Sequence, residues 1–307
     1  MSTVTDSLAA DYRALTEQVG LVDRSERGKL ALTGGEAKEF LHGQVTNDVE
    51  ALEPGRGCYA AFLTHKGKML GDLRILDLGD ELFLDTERSA LQELFNMIRR
   101  YKLGRDVELH KRTVERALLS LIGPAAPAVG SAEHDNVRDE IGGVPVTLVR
   151  TDVGADIICD PERVGEVKAA LGVPEVDEAV AEIVRVESGR PRYGVDLNDS
   201  VIPQEAGLND RAVNFEKGCY VGQETVARLF YRGKPNRHLR GLRLSEPVAS
   251  GEPLRLGERE VGRVGSSVVS PVHGPIALAI IRREAAPGDV LTAEGGATAA
   301  VVELPFT

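Results

Sequence analysis

The sequence has no tryptophan, only three cysteines, and aromatic residues at 4% of its 307 positions. So few rings argue against a base-stacking platform for single-stranded nucleic acid. Positive charge is also short: 37 Lys and Arg stand against 48 Asp and Glu, a formal net charge of −11 with a pI near 5.2. An acidic chain lacks the electrostatic footprint of a general nucleic-acid binder, and none is expected as a partner. Cys58, Cys159 and Cys219 are odd in number and far apart, which makes neither a disulfide framework nor a zinc pattern, and no metal site is expected. No apolar run is long enough to span a bilayer. The first twenty residues also lack the basic and apolar regions of a secretory signal. The expected setting is a reducing cytoplasm, with no membrane partner. Walker and Rossmann glycine patterns are missing, as are Ser-His-Asp and His-Glu-x-x-His spacings. Nucleotide-dependent and zinc-hydrolase chemistry therefore lose weight.

What is present suits about two domains, with a core built from Val, Leu, Ile and Ala and with 33 glycines shaping turns. Helical spacing is expected over residues 8–19, 36–45, 161–171 and 175–186, and most clearly over 87–102. There Leu91, Leu94, Phe95, Ile98 and Tyr101 share one face, with basic residues gathered at the C-terminal end. A β-meander is expected from strands 58–63, 69–78 and 81–85. Strand character returns at 107–122, 144–150 and 156–159. Residues 188–217 carry Gly, Pro, Asn and Asp with little periodicity, and a loop of that length is usually functional or disordered. Short runs at 239–244, 260–264 and 276–281, broken by Gly and Pro, have the pattern of a small β-barrel. The expected domains are 1–235 and 236–307.

The densest chemistry sits in Lys217-Gly-Cys-Tyr-Val-Gly-Gln-Glu224. Two glycines beside Cys219 allow close approach to a ligand. Lys217 favours a thiolate electrostatically while Glu216 and Glu224 oppose it. A free cysteine is nevertheless more often a buried core residue, the reading given to Cys58 and Cys159. Glu187 and Glu205 lie in turn-rich text, where carboxylates accept paired N–H groups of a heterocycle or, as commonly, pair with arginine in solvent. Asp72 interrupts an apolar-alternating strand, either as a carboxylate aimed into a cleft or as a residue of the wet face. Arg228, Arg232, Lys234, Arg237 and Arg240 form a basic strip, either a solvated linker or a clamp for an anionic tail.

The segment 217–224 resembles the signature of YgfZ-type folate-binding proteins, relatives of the glycine cleavage T-protein, an aminomethyltransferase. Gly20-Leu-Val-Asp-Arg-Ser25, Phe40-Leu-His-Gly-Gln-Val-Thr-Asn-Asp48, Tyr193-Gly-Val-Asp196, Pro203-Gln-Glu-Ala-Gly-Leu208 and Ser270-Pro271 agree in order, so the resemblance covers nearly the whole chain. It implies an α+β fold: two α+β segments in an N-terminal unit and a C-terminal β-barrel, as a ring around a central folate cleft. It implies tetrahydrofolate, or a one-carbon derivative, as cofactor. Glu187 and Glu205 would contact the pterin, with Tyr193, Lys217 and Arg228 as further folate-binding residues. The T-protein has a pair of aspartates before a leucine, the second catalytic; here the positions read Gly71-Asp72-Leu73, so Asp72 is the expected catalytic carboxylate. In YgfZ-type proteins the motif cysteine, matching Cys219, supports iron–sulfur enzymes, which implies iron–sulfur proteins or cluster assembly factors as partners. Three functions follow as expectations: a folate-binding iron–sulfur accessory factor, an aminomethyltransferase, and a folate-responsive module without chemistry of its own.

Overall fold

The computed structural model describes residues 2–307, with side chains described from residue 7. The chain divides into two compact units, Met1–Leu63, Leu70–Ala181 and Arg211–Val221 forming the first, and Thr64–Met69, Glu182–Asp210 and Gly222–Thr307 the second.

The first unit is built on two five-stranded sheets. One runs in the order Gly57–Leu63, Met69–Asp77, Leu82–Thr86, Gly28–Thr33 and Glu108–Lys111. The other runs Gly20–Asp23, Ala117–Ile122, Gly154–Cys159, Val144–Thr151 and Asn136–Ile141. Leu76 and Phe83 of the first sheet pack on Val149 and Ile158 of the second. The inner strands Leu82–Thr86 and Ala117–Ile122 are buried at every position, so their sequences are mostly apolar rather than alternating, and the polar residues they hold, Asp85, Thr86 and Ser120, are buried with them. The second sheet covers its other face with a cluster that includes Leu119, Leu148, Ile157 and Val167 of the helix Val164–Leu171.

The expected meander is present. The single strand expected over 107–122 is two, Glu108–Lys111 and Ala117–Ile122, in different sheets. The polar stretch between them turns at Arg112, whose carbonyl accepts the N–H groups of Glu115 and Arg116. Strand Asn136–Ile141 was not expected; it is an edge strand with four consecutive exposed residues, and its polar text carries no apolar alternation. The clearest expected helix is present at Leu91–Tyr101, burying Leu94 and Ile98.

In the second unit, residues 188–208 are turns; the short helix Asn209–Ala212 that follows begins in it and ends in the first unit. Six strands close into a barrel in the order Arg237–Leu244, Gly274–Arg282, Arg259–Ser270, Pro253–Leu256, Val290–Ala293 and Thr298–Val302. Closure removes the free edges of the sheet. Its interior holds small and β-branched residues, Leu254, Val264, Ala279, Ile281, Leu291 and Val301 among them. The fold is thus α+β, with two sheets in the N-terminal part and a C-terminal barrel.

Candidate functional site

Asp72 occupies the middle of strand Met69–Asp77 and is only 6% exposed. The Tyr59 hydroxyl, from the neighbouring strand Gly57–Leu63, donates to Asp72 Oδ2 at 2.6 Å. Asp72 Oδ1 has no donor among the described residues, so the carboxylate is held by one oxygen and offers the other. Burial pushes its pKa up to about 6, aided by the charges of Glu87 and Asp85 and opposed by the Tyr59 bond and Arg27. The wet-face alternative for Asp72 is thereby ruled out. Gly71 explains why the paired acid is missing. A Cβ there would lie 2.5 Å from two ring carbons of Phe62 and 2.7 Å from Ala90 Cβ, so a side chain has no room. Arg211 stands over the Tyr59 ring, 5.2 Å from its centroid.

Beneath Asp72 runs a buried ionic chain. Asp85, fully buried, accepts from Arg27 Nε at 2.8 Å and Arg74 Nε at 2.7 Å. Arg74 also pairs with Asp156, which accepts the Ser120 hydroxyl at 2.6 Å. The two guanidinium groups overcome the burial penalty and hold the Asp85 pKa down at about 2.

Cys219 is exposed, whereas Cys159 is buried and Cys58 partly so. Burial pushes the thiols of Cys58 and Cys159 up to about 12 and about 11, so neither forms a thiolate at neutral pH. The loop that carries Cys219 is strapped down on both sides. Lys217, 8% exposed, donates its ammonium to the carbonyls of His42, Val45 (2.8 Å) and Asn47 (3.0 Å). On the other side the Val221 N–H donates to the Gly43 carbonyl at 3.3 Å. Asn214 Oδ1 accepts the N–H groups of Glu216 and Lys217. Burial lowers the Lys217 pKa to about 8, opposed by the charge of Asp48. Lys217 is thus turned into the fold as a clamp. The Thr46-Asn47-Asp48 segment braces the same loop: Thr46 Oγ1 donates to the Ala212 carbonyl, and Asn47 Nδ2 donates to the carbonyls of Tyr59 and Arg211.

The remaining expected residues belong to the second unit. Glu205 is 6% exposed and forms a two-point ion pair with Arg237, Nε to Oε1 at 3.1 Å and Nη2 to Oε2 at 2.8 Å. Its Oε2 also accepts the Ile202 N–H at 3.1 Å, and Lys68 Nζ stands 3.9 Å away. Arg237 is therefore committed to Glu205 rather than part of a free basic strip. Glu187 ends the helix Glu178–Glu187 and accepts the Ser270 hydroxyl at 2.5 Å. Tyr193 lies in a turn, bridged to Leu197, that is organised by the buried Asp196. Asp196 accepts the N–H groups of Arg192 (2.9 Å) and Ser266 (2.7 Å) and pairs with Arg185 at 3.0 Å. Arg228 is exposed on the helix Gln223–Arg232 and makes no ion pair among the described residues.

Acceptor capacity remains unused here. Gln204 Oε1 is buried with no partner, and Glu205 Oε1 receives a single N–H. A pterin, which presents an amino group and ring N–H groups as adjacent donors, fits that set. Among the described residues no group of three or more His, Cys, Asp and Glu side chains is placed to hold a metal ion, and no helix is long and apolar enough to cross a membrane.

Sequence reasoning passed over Tyr59 and Gln204. Tyr59 sits in ordinary strand text, and its bond to Asp72 depends on pairing between strands. Lys217 was noted, but its direction was not legible.

Residues 1–151 match the GCVT N-terminal domain, and residues 237–307 match the glycine cleavage T-protein C-terminal barrel domain. An aminomethyltransferase of Streptomyces coelicolor is 29% identical over 91% of this chain and 82% of its own length. A chloroplastic protein of Arabidopsis thaliana, named only provisionally as a transferase, is 27% identical over 99% of this chain and 75% of its own. The crystal structure of the glycine cleavage system aminomethyltransferase T from Bartonella henselae superposes with a TM-score of 0.86. It covers 98% of this chain and 89% of that one at 22% identity, a likeness of fold. The chain is therefore built from the GCVT N-terminal domain and the glycine cleavage T-protein C-terminal barrel domain, and its relatives are aminomethyltransferase-like.

Proposed function

We propose that this protein binds tetrahydrofolate and, as a YgfZ-type member of the aminomethyltransferase-like proteins, supports iron–sulfur proteins through the Cys219 thiol. One observation carries the reading: of three cysteines only Cys219 is exposed, on a loop fastened by the buried ammonium of Lys217 on one side and a backbone bond on the other. A loop so fastened holds a thiol in place at low entropic cost. Tetrahydrofolate, when bound, supplies reduced ring nitrogens that carry one-carbon units. The chain's own part is recognition. Glu205, paired with Arg237, accepts pterin N–H groups together with Gln204, and Glu187 adds a carboxylate oriented by Ser270. A reducing compartment, where a free thiol persists, suits this reading.

The experiment is complementation of a deletion strain combined with calorimetric titration. Cys219→Ala is expected to lose support of iron–sulfur enzymes while keeping its tetrahydrofolate affinity. Full restoration of those enzymes by Cys219→Ala would remove the thiol from the function. Loss of folate affinity in Glu205→Gln, by about 1.5–3 kcal/mol, tests recognition separately.

Asp72 favours a second reading, aminomethyl transfer to tetrahydrofolate. A buried carboxylate with a pKa near 6 and one free oxygen suits a group that orients an amine and exchanges a proton at neutral pH. Formation of methylene-tetrahydrofolate from an aminomethyl-lipoyl carrier, lost in Asp72→Asn, would select it. No turnover by the wild-type protein would set it aside.

A further inference from the structure

A groove in the second unit is lined, apart from Arg237 and Asp196, by residues given no role above. It encloses about 480 Å³ against the strands Arg237–Leu244, Arg259–Ser270 and Gly274–Arg282 and the loops at 195–201 and 250–251. Ala279 and Ile281 point into the barrel core, so Ile280 and Arg282 point outward on the alternating pleat. Arg263 is registered opposite Ile280, and Arg237 opposite Arg282, which brings three guanidinium groups to one outward face.

Their charges are balanced unequally. Like charges directly opposite each other weaken a sheet. Arg237 answers this by pairing with buried Glu205. Arg263 has one ion pair, with Glu260 at 3.0 Å in an exposed arrangement that solvent screens, and its Nη1 also donates to the Gly251 carbonyl at 3.1 Å. Arg282 makes no ion pair among the described residues. Asp196, which also lines the groove, is already satisfied by Arg185 and Ser266. The groove therefore keeps one guanidinium without an ion pair among the described residues, felt by Glu284 only at longer range, and a second whose single ion pair is exposed, in a protein of net charge −11. Asn198, Ser200 and Ser250 add polar side chains along its rim, so the lining suits a polar ligand rather than an apolar one.

We propose that this groove binds a multiply charged oxyanion, a polyphosphate or a polycarboxylate, gripped by Arg282 and Arg263. Both chemistries present paired oxygens to the planar donor fork of arginine. The gripping residues Arg282 and Arg263 are not among those assigned to folate recognition, although Arg237, which pairs with Glu205, also lines the groove.

The test is calorimetric titration of the full-length protein at low ionic strength with pyrophosphate and, separately, with citrate. Binding of at least one probe is expected, weakening as salt rises. Which probe binds assigns the phosphate or the carboxylate source. Arg282→Gln or Arg263→Gln should weaken binding about tenfold or more, the effect of removing a charge-assisted hydrogen bond. Arg255→Gln, on the strand Pro253–Leu256 and outside the groove lining, should leave it unchanged. Arg282 and Arg263 are exposed, so the variants are expected to fold, and a melting curve checks this. Absence of binding by both probes at millimolar concentration overturns the proposal. So does binding unaltered in both variants.

Discussion

Asp72 is the residue in which chemistry and stability are most directly linked. Its pKa is raised in the folded protein to about 6 from an ordinary carboxylate value. Between the two values the native state holds a proton that the unfolded chain has released, so stability falls as pH rises through that window. Above pH 6 the buried charge costs the full amount. Asp72→Asn removes that charge while keeping an oxygen for the Tyr59 hydroxyl. It is expected to raise the melting temperature at pH 7.5 by the equivalent of roughly 3 kcal/mol, and to leave it nearly unchanged at pH 4. Equal effects at both pH values would mean that Asp72 ionises normally. Gly71 complements it: the crowding by Phe62 and Ala90 leaves this chain a single acid where the T-protein pattern has two.

At the scale of an element, the segment 213–221 has almost no regular structure and still has a defined course. Its order comes from Lys217, whose ammonium satisfies carbonyls at the end of the helix Ala37–His42 and just beyond it. Lys217→Met would leave those carbonyls without their donor, at a cost of about 2–4 kcal/mol. Hydrogen exchange should accelerate in residues 42–48 and 213–221 together, with little change in the barrel strands. Acceleration confined to 213–221 would argue against the clamp. The same segment shows what a motif can mislead about. Lys217 beside Cys219 suggests a cation that stabilises the thiolate, yet the side chain turns away into the fold. Alternation was similarly partial in the barrel: the runs at 239–244, 260–264 and 276–281 were legible, whereas Pro253–Leu256, Val290–Ala293 and Thr298–Val302 are too short and too mixed to signal strands.

Across the whole first unit, the two sheets are joined by a small apolar cluster and by the chain Arg27–Asp85–Arg74–Asp156. Removing one partner of a buried ion pair is far costlier than never having it, because the remaining charge stays buried. Asp85→Asn would leave two guanidinium groups without their shared carboxylate. It should lower the unfolding free energy by about 3–5 kcal/mol, read from urea denaturation at pH 7. With the Asp85 pKa near 2, this contribution is present above ordinary carboxylate values and is lost only as pH falls toward 2. The difference between wild type and variant should therefore persist at pH 5. A difference that vanishes by pH 5 would show that the pair is not buried as described.

The absences noted at the outset were determined by the sequence alone: no disulfide framework, no nucleotide loop, no zinc spacing. The same holds for the helical face around Leu94 and Ile98, the meander, and the candidates Asp72, Glu205 and Cys219. These follow from composition, period and motif, which are local properties of the chain. Tertiary structure alone decided that Asp72 is buried against Tyr59, that Lys217 clamps its loop, that Arg237 is committed to Glu205, and that Arg237, Arg263 and Arg282 share one outward face. Each depends on strands or loops far apart in sequence being brought into register, and the free energy of a charge is set by those neighbours and by its distance from water.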